Sequence, residues 1–437
     1  MEILEKLLLD DISKLGYKIS SLKIEKVVMN TKDVARNSLF FGINNGNNYI
    51  EEALNKGASL VICDKKPDIC DSRIIVVNDT VKYMQRLATQ YRKALRLKVI
   101  TITGSNGKTT TKDILYLMLK EKYIVQKTQG NYNNHIGVPF TIFQLIKEDQ
   151  VAVLELGMSD FGEIDLLSRI AAPDYGIITN IGDSHLEFLK NRENVFKAKT
   201  EMIKYLPSEN LVIYGDDPFL KNIKGKKVGF GKDNDIIIQN YKENALGLSF
   251  SLNNKKTYNI NLNGVHNCLN AVMSIEVAKL LGLSETEITR GLENTSITPM
   301  RFEKIEKNNI LYINDAYNAS PVSMEYSLDT FSNLYNENKY SKIAILGDML
   351  ELGENEIIFH QKVISKAINS HIHKLFLFGS LMKKALEKID DVSPKITHFP
   401  DKNLIKKEIQ RLLMESSDKK LVILLKGSRG MKLEEII

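Results

Sequence analysis

The residues with the clearest chemical meaning lie in a glycine-rich turn, TGSNGKTT, at residues 103–110. The turn follows a β-branched run, VITIT, and precedes a helical pattern, KTTTKDILYLMLKE. In such a turn the backbone N–H groups can approach phosphate oxygens, Lys108 can neutralise the β- and γ-phosphates, and the Thr109 hydroxyl can bind Mg²⁺. The sequence therefore predicts a phosphate-binding loop. Its candidate nucleotide-binding residues are Gly104, Ser105, Asn106, Gly107, Lys108, Thr109 and Thr110.

Two later strand patterns end in side chains that can bind a metal ion. The apolar run VAVL ends at Glu155, and the run YGIITNIGDSH carries His185 just beyond its end. The carboxyl ends of parallel strands gather ligands at one sheet edge, so both residues are candidates for Mg²⁺ near the phosphates. A strand-end acid or a single histidine is also common as a capping or surface residue, and the spacing alone leaves both interpretations open.

A lysine interrupts an apolar stripe downstream of His185. The stripe predicts one helix over residues 194–206, and its positions are Val195, Lys199, Met202, Ile203 and Leu206. Lys199 could extend along apolar surface with its ammonium in water. Alternatively it lies beside the metal site, where a cation is unfavourable unless it is neutralised or converted to an anion such as a carbamate.

Strand and helix patterns alternate along the 437 residues, which is long enough for about three domains. Short strand patterns and a helix over residues 81–95 predict a small α/β N-terminal domain, residues 1–96. The phosphate loop falls in a central domain with a mainly parallel sheet, residues 97–297. A new series of strand patterns predicts a Rossmann-like C-terminal domain, residues 298–437.

Composition narrows the classes of function. The net charge is +6, from 60 basic and 54 acidic residues, and there is no basic run of the kind that binds nucleic acid. Three cysteines without C-x-x-C spacing indicate neither a disulfide framework nor a zinc site. The N-terminal leucines are interrupted by acids, unlike a signal peptide. We expect a soluble cytoplasmic protein with no nucleic-acid partner and no membrane insertion.

The motifs together resemble those of the Mur ligases, the ATP-dependent amide-forming enzymes of peptidoglycan precursor synthesis. The resemblance runs from about Val27 to the C-terminus. Its segments are TGxxGKTTT at 103–111, E-x-G at 155–157, TNIGxxHL at 179–186, AKxE at 198–201 and GxHNxxNA at 264–271. The resemblance implies ATP and two Mg²⁺ ions as cofactors and a carbamate on Lys199.

Four further segments are similar to the branch of this family that joins D-alanyl-D-alanine to a UDP-N-acetylmuramoyl-tripeptide. They are GNYNNHIGVP at 130–139, DAYNASP at 315–321, LGDMLELG at 346–353 and KGSR at 426–429. Folylpolyglutamate synthases share the phosphate loop but are not expected to carry these segments. The DNPR segment of the diaminopimelate-adding branch does not occur. We therefore expect a protein that acts on these two small molecules. We also expect it to be a monomer.

The resemblance also implies roles for individual residues. The implied catalytic residues are Lys108, Asn134, His185 and Lys199. The implied metal ligands are Thr109, Glu155, His185 and Lys199. ATP contacts beyond the loop are Asn267, Asn270, Arg301 and Asp315. Substrate contacts are Thr31, Lys32, Asn131, Asn133, Tyr317, Asn318, Lys426, Ser428 and Arg429.

The N-terminal domain departs from the family pattern and leaves other functions open. Asn30-Thr31-Lys32 stands where relatives usually read DSR, and the downstream DGH is missing. An altered nucleotide-sugar substrate, or a binding-only ligase that keeps ATP but has lost the sugar site, would fit this change. A P-loop ATPase of a different class would have Asp where Glu155 stands and a clustered basic face.

Overall fold

A computed structural model describes residues 1–244, 246–295, 299–335, 338–389, 393–415 and 419–437. Helices alternate with strands along the chain, and the strands form mainly parallel sheets of four, nine and six strands. The predicted α/β class is therefore confirmed. Among the described residues, no helix is both long enough and apolar enough to cross a bilayer. The predicted domain boundary near Ile297 lies outside the described residues.

The first sheet is parallel throughout and has the order β1-β2-β3-β4. Its strands are β1 (Lys26–Val28), β2 (Ser38–Gly42), β3 (Ala58–Cys63) and β4 (Ile74–Val76). β2 is buried along its whole length. Continuous apolar runs such as SLFFG and SLVIC are typical of parallel strands covered on both faces, and for this reason the sequence identified them.

The nine-stranded sheet has the order β13-β12-β11-β10-β9-β8-β5-β7-β6. Its strands are β5 (Lys98–Thr103), β6 (Val125–Lys127), β7 (Val151–Glu155), β8 (Tyr175–Ile178), β9 (Leu211–Tyr214), β10 (Lys226–Gly229), β11 (Ile236–Asn244), β12 (Gly247–Leu252) and β13 (Lys256–Ile260). β5 and β7 are parallel, with Ile102 beside Glu155. The strand that enters the phosphate loop and the strand that carries Glu155 therefore end at the same edge.

The six-stranded sheet has the order β14-β15-β19-β16-β17-β18, antiparallel only between β14 and β15. Its strands are β14 (Glu303–Lys307), β15 (Ile310–Asn314), β16 (Tyr340–Gly347), β17 (Lys374–Phe378), β18 (Ile396–Phe399) and β19 (Lys420–Lys426). Ala344 and Ile345, adjacent on β16, belong to two different apolar clusters. Both faces of the sheet are thus covered, as in a Rossmann-like domain.

Fourteen α-helices connect these strands in the described part of the chain. They are α1 (Glu2–Lys14), α2 (Ile50–Asn55), α3 (Thr80–Ala94), α4 (Lys108–Leu119), α5 (Gly137–Phe143), α6 (Glu163–Ala171), α7 (Leu186–Leu189), α8 (Arg192–Lys199), α9 (Val265–Leu280), α10 (Glu285–Glu293), α11 (Pro321–Leu334), α12 (Glu356–Ile368), α13 (Ser380–Leu386) and α14 (Lys402–Glu415). The helix predicted over residues 81–95 is α3, one residue earlier, where the Asp79 side chain accepts a hydrogen bond from the Lys82 N–H and caps it.

The single helix predicted over residues 194–206 is wrong in its second half. α8 ends at Lys199, and Thr200–Tyr205 forms a 3-10 helix. A 3-10 helix has three residues per turn, so Met202 stays on the face of Lys199 while Ile203 rotates away from it. Met202 is accordingly buried and Ile203 only half-buried.

The chain divides into two compact units. The first comprises Met1–Thr103, Lys122–Ile177 and Lys199–Leu211. The second comprises Gly104–Glu121, Ile178–Ala198 and Val212–Ile437. The phosphate loop from Gly104 onward and His185 belong to the second unit, whereas Glu155 and Lys199 belong to the first.

Substitution of Phe331 measures how much the packing of α11 on the C-terminal core contributes to stability. Its side chain is fully buried in the cluster that contains Ala344. Phe331→Ala should lower the free energy of unfolding by about 3–5 kcal/mol, because a large cavity replaces the ring. Calorimetry should therefore show a clearly lower transition temperature than in Met414→Ala, a residue that is 86% exposed. Equal transition temperatures for the two variants would contradict this packing.

Candidate functional site

The phosphate loop depends on two glycines that no other residue can replace without strain. Gly104 has φ +143° and Gly107 has φ +84°, where it caps the N-terminus of α4. A Cβ atom on Gly104 would lie 1.9 Å from Thr179 Oγ1, and one on Gly107 would lie 2.5 Å from Asn270 Oδ1. The loop therefore requires glycine at both positions for backbone shape and for space.

The segment after β8 holds the backbone of the loop. The Ser105 N–H donates to the Asn180 carbonyl at 3.0 Å, and the Asn106 N–H donates to Asn180 Oδ1 at 3.2 Å. In return, Thr179 Oγ1 donates to the Asn106 carbonyl at 2.6 Å. Reciprocal bonds of this kind fix the loop before a ligand arrives, because both sides of the contact are satisfied within the protein.

Positive charge is concentrated at the loop. Lys108 Nζ donates to the Gly104 carbonyl at 2.8 Å, which holds the ammonium over the turn. The N-terminus of the 12-residue helix α4 adds its unpaired N–H groups at the same place. An anion such as a phosphate is the group that this combination attracts.

Residues of the C-terminal segment reach the loop. Arg301 Nη2 donates to Thr109 Oγ1 at 3.0 Å, although the two residues are 192 positions apart. The guanidinium also lies 4.3 Å above the ring of Tyr317. Ser320 Oγ donates to Asn106 Oδ1 at 3.0 Å. The DAYNASP segment and the phosphate loop are thus joined within the second unit.

Asp315 is half-buried and has a polar network of its own. Lys426 Nζ lies 2.8 Å from Asp315 Oδ2, and the Phe302 N–H donates to Oδ1 at 3.1 Å. Ser327 Oγ donates to the same carboxylate. Lys426 and Asp315 therefore neutralise each other, and each helps to fix the position of the other.

The start of α9 places three residues of the GxHNxxNA segment. The Asn270 side chain, beside Gly107, donates to Asn267 Oδ1 at 3.2 Å, and Asn267 donates to the Asn263 carbonyl at 2.7 Å. His266 stacks on Tyr326 with ring centroids 5.3 Å apart. Burial lowers the pKa of His266 to about 4, against a smaller opposing effect of Asp315, so its imidazole is neutral at pH 7.

His185 contacts an acid of the LGDMLELG segment. Its Nδ1 lies 2.8 Å from Glu351 Oε2. Both residues adopt left-handed backbone conformations, with φ +55° and +63°. The hydrogen bond from His185 keeps the pKa of Glu351 below its ordinary value despite the opposing effect of burial. The carboxylate is therefore ionised at neutral pH and accepts the bond.

In the first unit, Asn133 and Glu155 form a pair. Asn133 Nδ2 donates to Glu155 Oε1 at 2.8 Å, and the Asn133 carbonyl accepts from the Gly157 N–H at 2.8 Å. Glu155 is 3% exposed, and its N–H donates to Thr128 Oγ1 at 2.9 Å. Asn134 Oδ1 accepts from the Gly137 N–H at 2.8 Å at the start of α5. The GNYNNHIGVP and E-x-G segments therefore meet through Asn133.

The remaining predicted substrate residues have contacts of their own. Thr31 and Lys32 form a short 3-10 helix, in which the Thr31 carbonyl accepts from Lys56 and the Lys32 N–H donates to Asn30 Oδ1. The Asn131 carbonyl accepts from the Asn133 N–H.

In the second unit, the Asn318 side chain accepts from the Ala319 N–H, and Ser428 Oγ accepts from the Leu350 N–H at 2.9 Å. Arg429, by contrast, forms an exposed ion pair with Glu434. Ser428 therefore ties the KGSR segment to the LGDMLELG segment, whereas Arg429 is directed to a neighbour on its own segment.

Lys199 is only 1% exposed and is one of the largest fully buried side chains of the chain. The interpretation of Lys199 as a lysine that extends its ammonium into water is therefore wrong, because such a lysine exposes its terminal group. A place for Lys199 beside a metal ion stays a prediction. Lys197, two residues earlier, has a side chain that is 58% exposed and pairs with Glu193.

The described residues contain no group of three or more His, Cys, Asp and Glu that could hold a metal ion. The predicted ligand set includes only two such residues, Glu155 and His185. Its other members are a hydroxyl, Thr109, and a lysine, Lys199. Carboxylate and hydroxyl oxygens are the donors that Mg²⁺ prefers, so Glu155 and Thr109 are each of a type suited to that ion.

Four residues that hold site residues in place were not predicted as site residues from the sequence. Thr179 and Asn180 hold the loop, Thr128 holds Glu155, and Glu351 holds His185. The polar pair directly after β8 is a sequence signal that could have identified the first two. Glu351 could not be identified in this way, because it is 166 positions from His185 along the chain.

Comparison with known proteins shows which family this chain resembles. The Mur ligase middle domain model matches residues 102–278, and the Mur ligase, glutamate ligase domain model matches residues 300–429. The UDP-N-acetylmuramoyl-tripeptide–D-alanyl-D-alanine ligase of Bacillus subtilis is 37% identical over 95% of this chain and 92% of its own. The chain belongs to the Mur ligase family.

Solved structures agree with this membership. MurF from Acinetobacter baumannii superimposes on this Mur ligase with a TM-score of 0.90 and 26% identity, over 99% of this chain and 97% of that one. MurF from Thermotoga maritima, in complex with ADP, gives a TM-score of 0.82 and 29% identity, over 94% and 96%. The likeness therefore extends over nearly the whole chain.

Gly104→Ala tests the shape of the phosphate loop. The new methyl group would overlap Thr179 Oγ1, so the loop must move and nucleotide affinity should fall at least tenfold, about 1.4 kcal/mol. Titration with a fluorescent ADP analogue measures this. Gly162→Ala is the control, since Gly162 also has positive φ, +78°, but has open space around it. Equal affinities in the two variants would contradict the assigned contact.

Proposed function

We propose that this chain is an ATP-dependent ligase that joins D-alanyl-D-alanine to a UDP-N-acetylmuramoyl-tripeptide and completes the pentapeptide precursor of peptidoglycan. The observation that carries the proposal is the phosphate loop, with Lys108 over it and Arg301 and Ser320 bonded to it from the C-terminal segment. The 37% identity to a ligase of this activity over 95% of the chain supports the substrates.

The first step uses ATP to activate a carboxylate. A carboxylate oxygen of the tripeptide attacks the γ-phosphorus, the bond from phosphorus to the bridging oxygen breaks, and ADP leaves. The product is an acyl phosphate. Lys108 and the N-terminus of α4 offset the negative charge that accumulates when triphosphate and carboxylate meet. Mg²⁺, held by Thr109, Glu155, His185 and carbamylated Lys199, would neutralise further phosphate charge.

The second step forms the amide. The dipeptide amine attacks the acyl carbon, the bond from that carbon to the phosphate oxygen breaks, phosphate leaves, and the nitrogen loses a proton to solvent. The negative charge on the tetrahedral intermediate is stabilised by the same positive loop. We assign a catalytic role to Asn134 and substrate contacts to Asn131 and Asn133. Asn133 Nδ2 also donates to Glu155 Oε1.

The remaining roles follow the three domains that the sequence predicts. We assign the UDP-sugar to residues 1–96, with Thr31 and Lys32, ATP to residues 97–297, and the dipeptide to residues 298–437. Tyr317, Asn318, Lys426, Ser428 and Arg429 form the proposed dipeptide side, while Asn267, Asn270, Arg301 and Asp315 serve the nucleotide. We propose a cytoplasmic monomer that acts on these small molecules.

Phosphate release with D-Ala-D-Ala and a UDP-sugar tripeptide tests the reaction. The parent enzyme should form a pentapeptide product in an ATP- and Mg²⁺-dependent manner. Lys108→Ala should reduce turnover by about 10²-fold or more, since it removes the charge over the transferring phosphoryl group. Tripeptides with lysine and with diaminopimelate at the third position are both assayed, to show which of the two the enzyme uses. Near-normal phosphate release by Lys108→Ala would refute the site.

Lys199→Ala tests the carbamate. The buried amine needs CO₂ to become an anionic ligand, so the variant should lose most activity and regain part of it when a short-chain carboxylic acid is added. Lys197→Ala, whose side chain is 58% exposed, should stay active. A Lys199→Ala enzyme as active as the parent, or one that no carboxylic acid restores, would count against the carbamate.

A further inference from the structure

His185, a proposed metal ligand, is paired with Glu351, to which the proposed reaction assigns no role. Nδ1 of His185 lies 2.8 Å from Glu351 Oε2. An imidazole that binds a cation is neutral and carries a single hydrogen, and a carboxylate oxygen accepts hydrogen bonds, so in the metal-binding form of His185 that hydrogen is on Nδ1. Nε2 is then the nitrogen with an available lone pair. Of the two ring nitrogens, only Nε2 can bind a cation in this arrangement.

The loop that carries Glu351 is held rigidly from several sides. The Met349 N–H donates to His360 Nε2 at 2.9 Å, and the Leu350 N–H donates to Ser428 Oγ at 2.9 Å. Asp348, 4% exposed, accepts from the Met382 N–H at 2.8 Å. Three consecutive residues before Glu351 are therefore anchored to three different parts of the C-terminal sheet and its helices.

The backbones of the two segments also fit closely together. The Glu187 N–H donates to the Glu351 carbonyl at 3.3 Å. A Cβ atom on Gly353, which has φ +66°, would lie 3.2 Å from the Leu186 carbonyl oxygen. His185 and Glu351 are themselves both left-handed, a conformation that costs free energy in non-glycine residues and is kept where a site needs it.

We infer that Glu351 is a positioning residue for His185: by accepting the Nδ1 hydrogen it selects the imidazole tautomer and ring orientation that present Nε2 to a divalent cation. This rests on the metal-binding role proposed for His185. Carboxylates that orient a histidine in this way commonly change metal affinity 10–100-fold when they are removed.

The test combines the tautomer with metal affinity. The enzyme is labelled with ¹⁵N-histidine, and with only 7 histidines in the chain the His185 signals can be assigned by comparison with His185→Gln. The parent should show the hydrogen on Nδ1. Glu351→Ala should shift it toward Nε2, the tautomer that an unpaired imidazole prefers, and Glu351→Gln, which keeps an acceptor, should show an intermediate state.

Metal affinity is read from Mn²⁺ titration by electron paramagnetic resonance, with a non-hydrolysable ATP analogue bound. Glu351→Ala should bind Mn²⁺ about tenfold or more weakly. Glu354→Ala, an exposed acid three residues later, is the control and should match the parent in both measurements. Thermal unfolding of each variant confirms that it is folded.

A Glu351→Ala enzyme with the parent tautomer, or with the Mn²⁺ affinity of Glu354→Ala, would overturn the positioning role. The tautomer measurement needs no substrate. A parent enzyme that shows the expected tautomer but makes no pentapeptide would therefore refute the proposed reaction and not the contact.

Discussion

The contact between the phosphate loop and the strand end at Thr179 and Asn180 is the constraint on which the site depends. Gly104 must lack a side chain because Thr179 occupies the adjacent space, and the loop backbone is bonded to Asn180 on both its main chain and its side chain. The turn is therefore preformed, so binding a triphosphate does not have to pay for ordering it. Lys108 and α4 are placed by the same turn.

Several parts of the fold could be predicted because local sequence determines them. Continuous apolar runs such as SLFFG and KLVILLK identify buried parallel strands, and the glycine-lysine turn between a strand and a helix identifies the loop. The apolar stripe placed Lys199 on the buried face of a helix, but it did not decide whether the ammonium reaches water. The local backbone geometry could not be predicted either, because the change from α to 3-10 helix at Thr200 leaves no clear trace in the pattern.

Other parts could not be predicted because distant residues determine them. The strands not anticipated were β6 and β10 to β14, which are short or partly polar. In β11, for example, half-buried and exposed positions alternate over residues 239–244. The Arg301–Thr109 and His185–Glu351 contacts join residues 192 and 166 positions apart. Spacing along a chain carries no information about such pairs. Only the resemblance to the family predicted a nucleotide contact for Arg301.

The central claim is that ATP activates the tripeptide carboxylate, and transfer of oxygen tests it most directly. In a reaction with tripeptide labelled with ¹⁸O in its terminal carboxylate, an acyl phosphate leaves one labelled oxygen on the phosphate that is released. Mass spectrometry of that phosphate should therefore show one ¹⁸O per molecule, formed together with the pentapeptide. Unlabelled phosphate would mean that water attacks the γ-phosphoryl group, as in a simple ATPase, and would contradict the ligase mechanism.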